Sequence, residues 1–192
     1  MHRAPRPTAG APREGGLPTL RGSRVHLRHL TTDDVDDLHA IFSDPEVARF
    51  LAIRCQTSRE MTEEFLAGIH EGFHTRTLFQ WGIESGGRIV GTTTLGGLDW
   101  DNRRAEIGFA LARTAWGRGL MLDALAAVLD HAFGELGLHR IEADVDPRNA
   151  PSLRVLEKLG FRREGYLRER YIKDGDIQDS VIFGLLRGDR PV

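Results

Sequence analysis

With 192 residues and a formal net charge of −2, the chain is long enough to bury about two thirds or more of its unfolded surface in a single domain. No apolar run approaches the ~20 residues of a membrane span, and the first residues lack the apolar core of a secretory signal, so a soluble, cytoplasmic protein with no membrane partner is expected. One cysteine, Cys55, excludes an intrachain disulfide and argues against a cysteine-built metal centre, and the eight histidines show no HExxH-type spacing. His70 and His74 lie one helical turn apart without a carboxylate in register, which fits solvated helix positions better than a metal pair.

The charge is unevenly spread. Residues 1–24 carry five arginines against Glu14 alone, leaving 21 basic and 27 acidic residues in the remainder. An acidic body favours amine-bearing acceptors and argues against direct contact with nucleic acid, although a mildly acidic surface also serves solubility by itself. Residues 1–22 are rich in proline and glycine and lack periodicity, so they bury too little apolar surface to offset the entropy of ordering. They are expected to form a flexible basic tail ahead of one domain over residues 23–192.

Residues 24–30 alternate as a strand around Val25 and Leu27. Thr31 or Thr32 then caps a helix with Asp33, Asp34 and Asp36 in its first turn, where the dipole favours acids, and Leu38, Ile41 and Phe42 along its apolar stripe. Asp44-Pro45 stops it. A second helix starts at Ser58 and carries Met61, Phe65, Leu66, Ile69 and Phe73 at helical spacing. Residues 78–84 and 88–95 read as strands joined at Ser85-Gly86-Gly87, with residues 96–102 as a longer connection. The next strand, residues 106–111, sets Ile107, Phe109 and Leu111 on one face and Glu106 on the other. It breaks at Trp116-Gly117-Arg118-Gly119, and a helix follows with Leu125, Val128 and Leu129 on its apolar face.

Residues 139–145 form a further strand, so strand, helix and strand make a βαβ unit whose right-handed crossover sets its strands parallel. Pro151 opens another helix through Leu153, Leu156 and Leu159, which Gly160 ends. Residues 161–172 and 177–186 close the chain as a hairpin around Lys173-Asp174-Gly175-Asp176. The fold class expected is α+β: a mixed, mostly antiparallel sheet of about seven strands with a central βαβ unit and about four helices.

A short glycine turn between a strand and a helix gathers free backbone N–H groups and the positive end of a helix dipole at one point, which suits a phosphate. Seen alone, such a turn is more often plain punctuation. Here it stands within a larger combination: AEIGFAL and WGRGLM, then RIEADVDPRNAPSLRVLEKLGF, then REGYLRERYIKDGDIQDSVIFGLL. Together these make residues 24–187 resemble the Gcn5-related N-acetyltransferase (GNAT) family, and within it the branch that acetylates the N-termini of ribosomal proteins. The family's turn reads glutamine or arginine, two residues, glycine, one residue, then glycine or alanine; Trp116, Gly119 and Met121 hold those places here.

The resemblance implies an acetyl-coenzyme A site and no metal. Backbone N–H groups of Gly117, Arg118, Gly119, Leu120 and Met121 would hold the pyrophosphate, the strand backbone at Phe109 and Leu111 would pair with the pantetheine arm, and Asn149 would contact that arm. Glu106 matches the general base of the N-terminal branch, acting through a water, and Ser152 matches the hydroxyl that protonates the departing thiolate. The plain alternatives are a solvated strand residue and a polar position in a first helical turn. The acceptor implied is a primary amine, foremost a protein or peptide N-terminal α-amine, taken by a monomer or homodimer. A polyamine- or aminoglycoside-like amine, or a non-catalytic acyl-coenzyme A binding module, is the alternative. An α-amine of pKa near 8 costs only about 1.4 kcal/mol to deprotonate at neutral pH, against about 4.6 kcal/mol for a lysine, so one carboxylate is adequate for the first.

Overall fold

The computed structural model describes residues 15–189. Its strands are β1 (Leu20–Arg21), β2 (His26–His29), β3 (Leu78–Ser85), β4 (Arg88–Asp99), β5 (Arg104–Leu111), β6 (Arg140–Val145), β7 (Arg162–Lys173) and β8 (Asp176–Leu186). Its helices are α1 (Val35–Phe42), α2 (Pro45–Ala48), α3 (Arg59–His74), α4 (Leu120–Gly134) and α5 (Ala150–Lys158). The strands form one sheet in the order β1-β2-β3-β4-β5-β6-β8-β7. β5 and β6 are parallel and every other neighbouring pair is antiparallel, as expected of two strands joined through a crossover helix.

Local chemistry explains the element boundaries. Ser58 caps α3 by accepting from the Met61 N–H, and Thr31 with Asp34 forms a capping box that leads a 3-10 turn into α1. Asp44, expected only to stop α1, also caps α2 by accepting from the Glu46 N–H, with Pro45 in its first turn. Gly160 ends α5 at φ +89°, where a glycine pays no steric penalty.

Three boundaries differ from the sequence expectation. β4 runs on to Asp99 because Gly96 pairs with Glu106 and Asp99 with Arg104 across an irregularity, so the expected connection over 96–102 is largely strand. α2 adds a fifth helix, and β1 adds an eighth strand inside the expected tail. There, Leu20 and Arg21 pair with Leu27 and His26, Leu17 is buried, and the Trp81 indole donates to the Pro18 carbonyl at 3.0 Å. Two apolar residues and a two-residue strand leave no periodic signal, yet they suffice once a ready-made sheet edge offers partners. Residues 1–14 of the expected tail lie outside the described residues.

The sheet is covered on both sides. Ile107 on β5, Ile141 and Ala143 on β6 and Phe183 and Leu185 on β8 share one cluster with Leu125, Val128 and Leu129 of α4 and Leu156 of α5. Ala110, of the opposite parity to Ile107, and Ile89, turned over by a register shift between β3 and β4, join Leu38, Ile41, Leu66 and Ile69 of α1 and α3 in a second cluster. Because strand side chains alternate, Glu106 on β5 and Glu142 and Asp144 on β6 all fall on the face that α1 and α3 cover.

Candidate active site

β5 and β6 pair only at Arg104↔Arg140, Ala105↔Ile141 and Glu106↔Glu142. Beyond Glu106 the two strands part: β5 stays paired to β4 as far as Leu111, and β6 to β8 as far as Val145. The Ala112 N–H donates to the Val90 carbonyl of β4, so by alternation the N–H and C=O groups of Phe109 and Leu111 point into the gap left by β6. Their side chains pack against the α4 cluster, which leaves their backbone as what they present. The Leu111 carbonyl is already engaged, since Trp116 Nε1 donates to it at 2.7 Å.

The turn that follows leaves backbone donors open at a helix start. Gly117 and Gly119 take φ +73° and +75°, the left-handed region that glycine enters freely. α4 starts at Leu120 with no side-chain cap on its N–H groups, so the donors of its first turn stay open. A Cβ on Gly117 would meet nothing within 4 Å. Leu120 and Met121 are buried, and so offer only backbone. The Arg118 carbonyl accepts from Arg24 Nη1 at 3.1 Å, and Asp123 of α4 accepts from the N–H groups of Ser23, Arg24 and Val25. The hairpin before β2 is thereby strapped to the helix beside the turn.

Past the end of β6, Asn149 caps α5: its side chain accepts from the Ser152 N–H at 3.3 Å. The same helix end thus holds both residues, half-buried, and the Asn149 side chain serves as the cap of that helix.

On the α1 and α3 face, Glu106 stands in the wall of a cavity of about 260 Å³. Asp144 and Asp146, Tyr171 at the end of β7, Gln178 and Ser180 of β8, and Phe50, Leu51, Ala52 and Arg54 of the α2–α3 connection line it as well. Solvent reaches Glu106, yet protein surrounds its carboxyl. That burial, then the nearby charges of Asp144 and Glu142, push its pKa above the ordinary carboxylate range against a smaller pull from Arg170. Tyr171 donates to Asp144, and burial followed by the Asp144 charge raises the Tyr171 pKa in turn. Ser180 Oγ is buried without a hydrogen-bond partner among the described residues.

Sequence reasoning singled out Glu106 but missed the residues around it. Asp144 carried a faint signal, alternating with buried Ala143 and Val145 exactly as Glu142 does. Tyr171 carried none, because an irregularity between Leu167 and Tyr171 resets its register on β8, with Glu169 in the left-handed region at φ +53°. Ser152 does not line the cavity that holds Glu106; the two sit on different elements, at either side of the strand gap.

The family model described as "Acetyltransferase (GNAT) domain" matches residues 24–162, and the chain belongs to that family. A Bacillus licheniformis protein described as the uncharacterized N-acetyltransferase p20 is 34% identical over 175 residues, covering 89% of this chain and 97% of that protein. The spermidine N(1)-acetyltransferase of Escherichia coli is 25% identical over 158 residues, covering 82% and 83%. A solved structure of Mycobacterium smegmatis RimJ in complex with CoA-disulfide superposes with a TM-score of 0.84 at 28% identity, covering 91% of this chain and 90% of that one. The chain is an N-acetyltransferase of the GNAT type, a family that uses acetyl-coenzyme A. No helix among the described residues is long and apolar enough to cross a membrane.

Proposed function

We propose that the protein moves an acetyl group from acetyl-coenzyme A to the N-terminal α-amine of a protein or peptide. The observation that carries this reading is Glu106: it holds the last paired position before β5 and β6 part, and its side chain stands in the wall of an acid-lined cavity. The residues present suit the donor. The uncapped N-terminus of α4 and the two left-handed glycines would hold the pyrophosphate, and the free N–H groups of Phe109 and Leu111 would hold the arm. When bound, the donor supplies an acetyl thioester.

Glu106, its pKa raised above the ordinary carboxylate range by burial and the Asp144 charge, is suited to take a proton from an ammonium at the cavity, directly or through one water. Ser152 Oγ, in the first turn of α5, is assigned to return a proton to the leaving sulfur. The acids around the cavity draw a cationic acceptor toward Glu106. The same acidity supports a second reading, a small polyamine acceptor, which the spermidine acetyltransferase relative also favours.

The test is an acetyl-transfer assay that reads free thiol, run on N-terminal peptides and on spermidine with wild type and Glu106→Gln. Turnover of peptides over spermidine, lost with Glu106→Gln, is the expected result. Turnover of spermidine alone would favour the second reading.

A further inference from the structure

The chain has only two lysines among its 26 basic residues, Lys158 and Lys173. Lys173, the last residue of β7, lines the cavity and reaches the end of α2 and the α2–α3 connection. Its Nζ donates to the carbonyls of Ala48, Leu51 and Ile53 at 2.5, 2.7 and 3.0 Å. Three oxygens around one nitrogen match the three donors of an ammonium, and a planar guanidinium cannot reproduce that convergence. The segment so gripped supplies Phe50, Leu51, Ala52 and Arg54 to the cavity wall, and the β7–β8 hairpin supplies the wall opposite.

We propose that Lys173 is a clasp that forms the acceptor site: by pinning residues 48–53 to the β7–β8 hairpin it fixes the cavity in which the acceptor amine meets Glu106. It is a positioning residue, acting through the loop. A second tie runs alongside it. Arg148 binds Asp146 at 2.7 Å and Asp176 at 2.8 Å, and its guanidinium lies 6.0 Å from the Phe50 ring centroid. Burial pulls the Lys173 pKa down while Asp174 pushes back, yet only the ammonium form has a proton for each of the three carbonyls. The inference rests on the acceptor reading of the cavity given above.

The single cysteine, Cys55, provides the probe. It lies in the same connection, its Sγ donates to the Ser43 carbonyl at 3.3 Å, and together with Lys173 it lines a neighbouring cavity. In Lys173→Met, Cys55 should react with a thiol-specific disulfide reagent about tenfold faster than in wild type. The KM for an alanine-initiated peptide should rise about tenfold with kcat within about twofold, and affinity for coenzyme A, measured by calorimetry, should stay within about twofold. Lys173→Arg should not restore either value.

An unchanged Cys55 rate and an unchanged peptide KM in folded Lys173→Met would overturn the clasp. If wild type acetylates neither the peptide nor spermidine while the Cys55 rate still rises, the clasp stands and the acceptor reading falls. Acylation of wild type by a lysine-selective ester, read by mass spectrometry, needs no variant. Lys173 should be modified at least about tenfold more slowly than exposed Lys158, because its nitrogen is engaged three times over. Equal rates would also overturn the proposal.

Discussion

Tyr171 donates its hydroxyl proton to Asp144 Oδ2 over 3.1 Å, and Arg170 Nε approaches the same oxygen at 3.6 Å. Asp144 lies beside Glu106, and after burial its charge is the largest cause of the raised Glu106 pKa. Asp144→Asn removes that charge, so Glu106 should lose its proton at lower pH. The acid limb of kcat/KM, followed against pH, should move down; Tyr171→Phe leaves the charge in place and should not move it down. A limb that stays put in Asp144→Asn means that another group titrates there.

Glu106→Gln should slow turnover by about 10² to 10⁴ near neutrality and recover part of the loss as pH rises and the amine deprotonates unaided. Ser152→Ala should depress the rate across the whole range, since the leaving thiolate gains nothing from high pH. Pre-steady-state rates on an alanine-initiated peptide check both. Full activity of Glu106→Gln near neutrality excludes the general-base role.

The same carboxyl makes a stability prediction of definite sign. A folded-state pKa raised above the unfolded value adds stability that is fully present below the unfolded pKa and is lost as pH rises through the folded pKa. Above that window the ionised Glu106 burdens the fold. Glu106→Gln should therefore melt at or above the wild-type temperature near neutrality, and the difference should shrink on acidification. Calorimetric melts at the two conditions decide it.

Gly119→Val forces a β-branched residue into φ +75°. The nearest atom to an added Cβ, Arg24 Nη1 at 3.5 Å, is ordinary contact, so the penalty is backbone strain of about 1–3 kcal/mol, seen as a lowered melting temperature. Coenzyme A affinity should fall as well, because the side chain crowds the open donors of α4. Unchanged affinity would reduce the turn to a connection between strand and helix.

Asp123 carries the strap between α4 and the hairpin before β2. Burial works against its charge, but hydrogen bonds from Ser23, Arg24 and Val25 prevail and hold its pKa below the ordinary value. A lowered folded pKa gives stability that is present above the unfolded pKa and lost as pH falls through the folded pKa. Asp123→Ala should thus cost about 1–2 kcal/mol near neutrality and progressively less in acid, by denaturant melts. An equal loss at both ends would mean that packing, not charge, is what Asp123 supplies.

Sequence periodicity was a good guide wherever an element is long or punctuated. The β5 alternation, the glycine turn, Ser58 and Pro151 each mark a boundary that the fold keeps, and the βαβ order made β5 and β6 parallel. The site was legible only along its backbone half. Gly117, Gly119 and Glu106 have local signatures, whereas the cavity beside Glu106 is assembled from residues far apart in sequence. Lys173 and Leu51 meet across a separation that no spacing rule reaches, and Tyr171 is aimed by an irregularity in its strand that composition does not encode. β1 was missed for a different reason: two residues form a strand only because a neighbour is already in place.

Three residue pairs between β5 and β6 are all that join strands β1 to β5 with strands β6 to β8 in one ladder. Beneath that ladder α4 spans the two halves, its Leu125 and Leu129 sharing a core with residues from both. The sheet is in effect two leaves on a common spine. Any ligand arm that lies along Phe109 and Leu111 fills the slot between the leaves, so it should slow amide hydrogen exchange on both of them, including on strands it never touches.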